Sequence, residues 1–218
     1  MSGKSTISEQ IYKILYDDII YQRIPCGKKL TLKILKERFE VSHTPIREAL
    51  TRLAENGLVK YYSNCGVTVS VFGEQDIREI YKMTGELDSM AIRFCKDEGL
   101  LEPLLAELGE VIASGNEYIE RGDYLGWKRF SEEFHFSFYH YANNRYLDEI
   151  VGSLRAKMEL LSWMYYTEPN MESIHRQHVA IYETLKTGDY DKAAEMMKDH
   201  LKSDLEYALA AYNSKEQK

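Results

Sequence analysis

Cysteine, proline and long apolar runs are scarce in this 218-residue chain, and each scarcity excludes a class of protein. The three cysteines, Cys26, Cys65 and Cys95, are odd in number and far apart, which argues against a disulfide framework or a paired zinc or redox motif. No apolar run approaches the ~18–20 residues of a membrane span, and the polar N-terminal segment does not resemble a signal peptide. With 4 Pro, 13 Gly and 44% hydrophobic residues, the composition is that of a globular protein. We therefore expect a folded cytoplasmic protein that does not contact a membrane.

The net charge of −7 is unevenly distributed along the chain. The first 72 residues hold 11 lysines and arginines against 7 acidic residues, whereas the whole chain holds 28 against 35. This local excess of positive charge is typical of a surface that binds a polyanion. The apolar pattern also changes at Phe72-Gly73, so the sequence predicts one domain over residues 1–72 and another over residues 74–213.

The N-terminal domain begins with three predicted helices. Apolar residues spaced by three or four predict a first helix over residues 7–19, and Thr31 is a candidate N-cap of a short second helix. After a tight connection, Thr44 and Pro45 form a capping residue followed by proline. A third helix is therefore predicted to begin at about Pro45.

Two β-rich runs, over residues 58–62 and 67–71, predict a hairpin after these helices. The three helices and the hairpin together predict a winged helix-turn-helix. From Glu74 onward the chain shows only helix-length apolar stripes and no strand signal. The predicted fold is mainly α, with the winged helix-turn-helix followed by an all-α bundle of about six helices. The turn residues that separate the stripes include Gly99, Gly122, Asn143 and Gly188.

The start of the third helix carries residue types that read DNA. Arg47 lies within the first turn, where a guanidinium group can bind a guanine edge or a phosphate. Ser42 and Thr44 offer hydroxyl groups and backbone amides to phosphate oxygens. The alternative for Arg47 is a surface ion pair with Glu48 or Glu55.

This region resembles the GntR-type bacterial transcription regulators. The match extends from about Gln10 to Val71, and its most specific part is the run Thr-Pro-Ile-Arg-Glu-Ala-Leu over residues 44–50. The resemblance implies that Ser42, Thr44 and Arg47 contact operator DNA, and that Lys33 takes the place of an arginine in the preceding helix. The agreement continues at four later positions, Leu53, Gly57, Leu58 and Val59.

Two departures from the family pattern remove positive charge. His43 stands where the family has the first arginine of its motif, and the wing reads Asn64-Cys65-Gly66 where the family has Gly-Arg-Gly. Fewer phosphate contacts weaken binding and lower its salt dependence. We therefore expect a weaker or differently specified operator, with His43 at the DNA surface and Gly66 still allowing close backbone approach to the minor groove.

Five of the six histidines lie in the helical half, and three of them fall on apolar stripes: His135, His178 and His200. A single core histidine is most often simply hydrogen-bonded, but three from separate helices predict a site for a divalent ion such as Zn²⁺ or Ni²⁺. His140 and His175 lie off these stripes, so we expect both at the surface.

The segments around these histidines resemble the FCD domain, the ligand-binding helical domain of the FadR-type branch of GntR regulators. The resemblance implies that His135, His178 and His200 hold a metal together with an Asp or Asn four residues before the first histidine. Ser131 occupies that place in this chain, so water or an effector oxygen completes the shell, or the site is weak or empty. Thr84 stands where the family commonly has an effector-binding arginine. We expect Ser131 and Thr84 to lie in the effector site.

These observations predict a homodimeric, ligand-responsive repressor rather than an enzyme. Its partners are a short pseudo-palindromic operator in double-stranded DNA and a small anionic metabolite that binds beside the metal. One alternative is a regulator whose pocket is metal-free or vestigial and serves only dimerisation. The other is a helical metal-dependent hydrolase, but no general base is evident because Glu132 and Glu133 are turned away from the His135 face.

Overall fold

The computed structural model describes residues 5–63, 66–166 and 168–216, and the chain divides into two compact units. The first unit runs as far as Gly73 and also contains Gly152–Met164. The second contains Glu74–Val151 and the chain from Tyr165 onward. Over the described ranges there are nine helices and three short strands, which confirms the predicted fold class of a winged helix-turn-helix followed by an all-α domain.

The first unit contains three helices and a small sheet in which the strands follow the order β1-β3-β2, all antiparallel. Thr31 caps α2 as predicted, since its hydroxyl group accepts the amide of Ile34 at 3.2 Å. Strand β1 was not predicted because three residues are too few to show an alternating pattern. The elements are α1 (Ile7–Ile20), β1 (Lys29–Thr31), α2 (Leu32–Phe39), α3 (His43–Glu55), β2 (Val59–Ser63) and β3 (Gly66–Val69).

Helix α3 begins at His43, two residues earlier than the sequence analysis predicted. Ser42 is the N-cap, with extended backbone angles of φ −67° and ψ 167°, whereas Thr44 lies inside the first turn. The prediction that Thr44 caps the helix and Pro45 opens it is therefore wrong. Pro45 is tolerated as the third helical residue because amides of the first turn have no partner within the helix.

The core of the first unit combines the apolar faces of α1, α3 and the sheet with a segment from much later in the chain. Leu15 of α1 and Leu50 of α3 are fully buried in one cluster. Ala156 and Leu160 belong to the same cluster and are equally inaccessible. The segment Gly152–Met164 thus completes the core of the winged helix-turn-helix, which the sequence did not indicate.

The second unit is built from long helices packed around α6. Four aromatic residues of α6, including Trp127 and Phe134, are fully buried. Helix α4 packs against α6 and α9, and α5 packs against α6 and α8. Among the helices described, none is both long enough and apolar enough to cross a membrane. The helices after residue 73 are α4 (Glu74–Glu98), α5 (Leu101–Arg121), α6 (Tyr124–Ala142), α7 (Arg145–Tyr165), α8 (Glu168–Lys186) and α9 (Tyr190–Glu216).

Candidate metal centre and DNA-binding surface

His135, His178 and His200 meet at one point inside the second unit, although they come from α6, α8 and α9. Their candidate ligand atoms all lie within 4.8 Å of one another. The Nε2 atom of His200 is 3.1 Å from Nε2 of His178 and 3.3 Å from Nε2 of His135. The structure therefore brings together the three histidines that the sequence singled out.

The spacing of these nitrogen atoms fits a common metal ion. Zinc–nitrogen bonds of ~2.0–2.1 Å place two nitrogens about 3.3 Å apart on a tetrahedral ion and about 2.9 Å apart at a right angle. The observed separations of 3.1 and 3.3 Å fall in this range. Imidazole nitrogen is also a ligand that suits both Zn²⁺ and Ni²⁺.

The outer nitrogens of two of the rings are already bonded. His135 Nδ1 lies 2.8 Å from the Asp88 carboxylate, and His200 Nδ1 lies 2.8 Å from the Gln177 amide oxygen. Both partners are acceptors, so each Nδ1 carries a proton, and in the neutral form of each ring Nε2 is left unprotonated. When both rings are neutral, their facing lone pairs repel each other, and a cation between them relieves that repulsion. This hydrogen bonding of the second ring nitrogen is the usual support of a metal-binding histidine.

Protonation of the three rings differs because their surroundings differ. Burial, together with the neighbouring histidines, holds the pKa of His178 well below its usual range, and burial with His135 does the same to the pKa of His200. Burial also lowers the pKa of His135, but the hydrogen bond and charge of Asp88 outweigh it, so that pKa is raised. His178 and His200 are thus neutral at pH 7, which is the form that binds a metal.

Aromatic rings fix the orientation of His178. Phe134 stacks on it with the ring centroids 4.4 Å apart, and Phe130 meets it edge-on at 5.9 Å. The Nδ1 atom of His178 is buried and has no hydrogen-bond partner within the part of the chain that the structure describes. Packing therefore positions the outer side of this ring, and only its Nε2 atom faces a polar partner.

Ser131 and Thr84, the predicted effector-site residues, are both buried. Ser131 lies on α6 one helical turn before His135. Thr84 lies on α4, and its hydroxyl group donates to the carbonyl oxygen of Ile80 at 2.9 Å. The hydroxyl proton of Thr84 is therefore engaged in a hydrogen bond within α4.

Sequence reasoning missed three side chains of the histidine cluster: Asp88, Gln177 and Asp204. Asp204 lies on α9 one turn after His200, with its Oδ2 atom 3.5 Å from His200 Nε2 and accepting the Tyr166 hydroxyl. Burial raises the pKa of Asp204 to about 7. Both aspartates interrupt apolar stripes, and a charged residue on such a stripe could have identified them as site residues. Gln177 shows no such signal in the sequence.

The two remaining histidines of this half lie in different environments. His140 is exposed, as predicted, but His175 is only 6% exposed, so the prediction that it lies at the surface is wrong. The ring of His175 packs edge-on against Phe130 at 5.3 Å, and its Nε2 lies 2.8 Å from the Asn116 side-chain oxygen. The buried face of α8 is wider than the single stripe through His178 and includes this position.

The predicted DNA-reading residues lie on exposed surface of the first unit. Ser42, His43, Thr44 and Arg47 are exposed at the beginning of α3, and Lys33 is exposed on α2. The Ser42 side chain makes no capping hydrogen bond to α3. The amides of the first turn are therefore available to a phosphate group.

A groove of about 500 Å³ runs along this side of α3. Next to it, Tyr61 of β2 is exposed, and its hydroxyl group lies 3.2 Å from that of Thr51 on α3. This hydrogen bond joins the wing strand to the recognition helix, and sequence reasoning did not identify either residue. The groove is lined by Ser8, Thr44, Arg47, Glu48, Thr51 and Arg52.

Gly66 is the first residue of β3 and is buried where that strand pairs with both neighbours. A Cβ atom at this position would lie 2.1 Å from the carbonyl oxygen of Leu30. The sheet itself therefore requires glycine at this position. Asn64 and Cys65, the other wing residues named above, lie outside the described residues.

Comparison with known proteins identifies two families along the chain. Residues 7–69 match the bacterial regulatory proteins of the gntR family, and residues 79–203 match the FCD domain. The chain is 27% identical over 205 residues to the HTH-type transcriptional regulator YdhC of Bacillus subtilis, covering 91% of this chain and 89% of YdhC. It is 26% identical over 196 residues to the transcriptional repressor RspR of Escherichia coli K12, covering 89% and 86%.

The fold is also that of a solved relative. The structure of McbR from Escherichia coli superposes with a TM-score of 0.81 at 22% identity, covering 96% of this chain and 100% of McbR. The matched families and relatives are transcription regulators and not enzymes, which confirms the prediction of a non-enzyme. This chain belongs to the GntR family of bacterial transcription regulators, with a DNA-binding winged helix-turn-helix followed by an FCD effector domain.

Proposed function

We propose that this regulator is a repressor that binds a short pseudo-palindromic operator in double-stranded DNA as a homodimer. One winged helix offers few base contacts, and symmetric dimers that read half-sites about one helical turn apart are the normal route to useful affinity. The relative RspR is named a repressor. A protein that acts on operator DNA works in the cytoplasm of a bacterium.

The exposed start of α3 supports the assignment of individual DNA contacts. Arg47 binds a base edge, while the hydroxyl groups of Ser42 and Thr44 and the nearby amides bind phosphate oxygens. Lys33 binds the backbone from α2, and His43 lies at the same surface. Gly66 lies at the base of the wing, where pairing within the sheet itself accounts for the glycine.

Replacing Arg47 with alanine tests this assignment. We expect Arg47→Ala to lose ~1–3 kcal/mol of binding free energy and to relax one position of each half-site, whereas Lys33→Ala weakens all sequences alike. The probe is a duplex selected from a randomised pool by the full chain, titrated at fixed salt. Unchanged binding and selectivity of Arg47→Ala would falsify the assignment.

The three histidines support a metal-dependent effector site in the FCD domain. The observation that carries this proposal is the pair of Nε2 separations, 3.1 Å from His200 to His178 and 3.3 Å from His200 to His135. The outer nitrogens of His135 and His200 are held by Asp88 and Gln177. His135, His178 and His200 would bind a divalent ion, with Zn²⁺ or Ni²⁺ the best fit to an all-imidazole set. Such an ion supplies positive charge and an open coordination position.

The same site favours a small anionic metabolite as effector. Three neutral imidazoles leave the charge of a divalent ion uncompensated, and Ser131 adds no negative charge where the family has its carboxylate. Thr84 adds no positive charge where the family has its arginine, so the ion is the group that attracts the effector. We place Ser131 and Thr84 in the effector pocket as hydroxyl groups. Preferential binding to one conformation would change DNA affinity by the typical ~1–3 kcal/mol.

Elemental analysis of protein purified without a histidine tag tests the metal site. We expect close to one equivalent of Zn or Ni in the wild type, a large loss in His178→Ala, and no loss in the exposed control His140→Ala. A content below about a tenth of an equivalent, unaltered by His178→Ala, would instead support a regulator with a metal-free or vestigial pocket.

A further inference from the structure

Two buried aspartates lie beside the histidine cluster, and only one of them has all its hydrogen bonds. Asp88 is 1% exposed, and its two oxygens are occupied by His135 Nδ1 and by the Tyr139 hydroxyl group. Asp204 is equally buried, and its Oδ2 accepts the Tyr166 hydroxyl. Its Oδ1 has no hydrogen-bond partner in the described ranges of the chain.

An unpartnered carboxylate oxygen in the interior is costly because it has lost its hydration without replacement. Such an atom calls for a partner, for example a bound water or an ion. Asp204 lies one turn after His200 on α9, and its Oδ2 is 3.5 Å from the Nε2 atom that His200 turns toward the other two histidines. The open oxygen therefore belongs to a carboxylate that lies beside the His200 nitrogen facing the other two histidines.

We infer that Asp204 supplies the carboxylate of the metal centre in this chain, in place of the ligand missing at Ser131. This inference rests on the proposed metal site. Asp204 accepts a hydrogen bond from the water, or from a hydroxyl group of the effector, that completes the coordination shell. Its charge offsets part of the ion's charge, which three imidazoles leave uncompensated.

The geometry favours this outer position over direct ligation. The group of ligand atoms lying within 4.8 Å of one another consists of the three histidines. Asp204 is not a member of this group, and its Oδ2 atom lies 3.5 Å from His200 Nε2. A carboxylate at the side of the cluster can reach a metal-bound oxygen without displacing an imidazole.

Metal titration of the full, tag-free, chelator-stripped chain tests the inference, with Zn²⁺ and Ni²⁺ as probes against a chromophoric chelator. Asp204→Asn keeps the size of the side chain and an oxygen that accepts from Tyr166, but removes the charge. We expect it to weaken metal binding ~10–100-fold, the usual effect of losing an outer partner. The matched control is Asp199→Asn, an exposed aspartate beside His200 on the same helix, which should change the affinity less than about twofold.

Two further readouts separate this role from a structural one. Metal-free Asp204→Asn should unfold at the same or a higher temperature than the wild type, because it removes a buried charge. The double variant Asp204→Asn, Ser131→Asp should recover metal affinity, and the visible spectrum of the Co²⁺ form should report the altered shell.

The outcomes are distinct. If the wild type binds metal, His178→Ala abolishes binding and Asp204→Asn binds as tightly as Asp199→Asn, the role of Asp204 is overturned and the histidine site stands. If the wild type binds neither probe, the metal site and the role of Asp204 are both overturned.

Discussion

His43 is the residue at which this chain departs most clearly from its family's DNA-reading motif. It is exposed as the first residue of α3, where an arginine would reach a phosphate. We predict that His43→Arg tightens binding to the selected operator and steepens the dependence of log affinity on log salt by about one. If the variant instead changes sequence preference and leaves the slope unaltered, His43 reads a base and the phosphate interpretation is wrong.

Glu159 gives the winged helix unit a pH-dependent stability. Burial raises the pKa of this carboxyl group above its usual 4.5, although it accepts the Tyr16 hydroxyl at 2.6 Å. A carboxyl group with a raised folded-state pKa contributes stability that is present below the unfolded-state pKa and is lost as pH rises through the folded-state value. Glu159→Gln keeps an acceptor for Tyr16 without the charge. The free energy of unfolding of this variant, relative to wild type, should therefore increase as the pH rises above about 4.5 in urea titrations, and a pH-independent difference would contradict the assignment.

At the scale of helices and strands, the sequence predicted the elements whose signals are local. Gly99, Gly122 and Gly188 end helices in the left-handed region, with φ of +68°, +64° and +79°, as their positions between stripes suggested. β1 was missed because it has only three residues and its pairing partner, β3, lies far along the chain. The start of α3 was misplaced because Ser42 and Thr44 are both favourable N-caps, and the backbone conformation selects Ser42.

The second half of α7 is the element whose role only the structure revealed. Leu160 is fully buried in the same cluster as α1 and α3, whereas Leu161 is equally buried but is not part of that cluster. We predict that Leu160→Ala destabilises the chain by ~2–5 kcal/mol. Amide hydrogen exchange should accelerate in α1 and α3 for Leu160→Ala. The matched variant Leu161→Ala should leave the protection of those helices largely unchanged, and similar losses in both variants would argue against a specific contact.

For the molecule as a whole, the sequence predicted a DNA-binding domain followed by an effector domain. It also predicted half of the residues of the candidate metal site. The three histidines could be found because imidazoles on apolar stripes of separate helices are conspicuous. Gln177 and the open oxygen of Asp204 could not be found, because their importance depends on which atoms lie within hydrogen-bond distance after folding. The burial of His175 likewise depends on Phe130 and Asn116, which come from other helices.

The participation of Gly152–Met164 in the first unit also determines when that unit can be finished during synthesis. The residues up to Gly73 leave the ribosome long before Ala156 and Leu160, which complete their core. At ~5–20 residues per second, the interval is on the order of 10 s. During this time the nascent recognition helix is attached to an unfinished core, so DNA binding should begin only after most of the FCD domain has been translated.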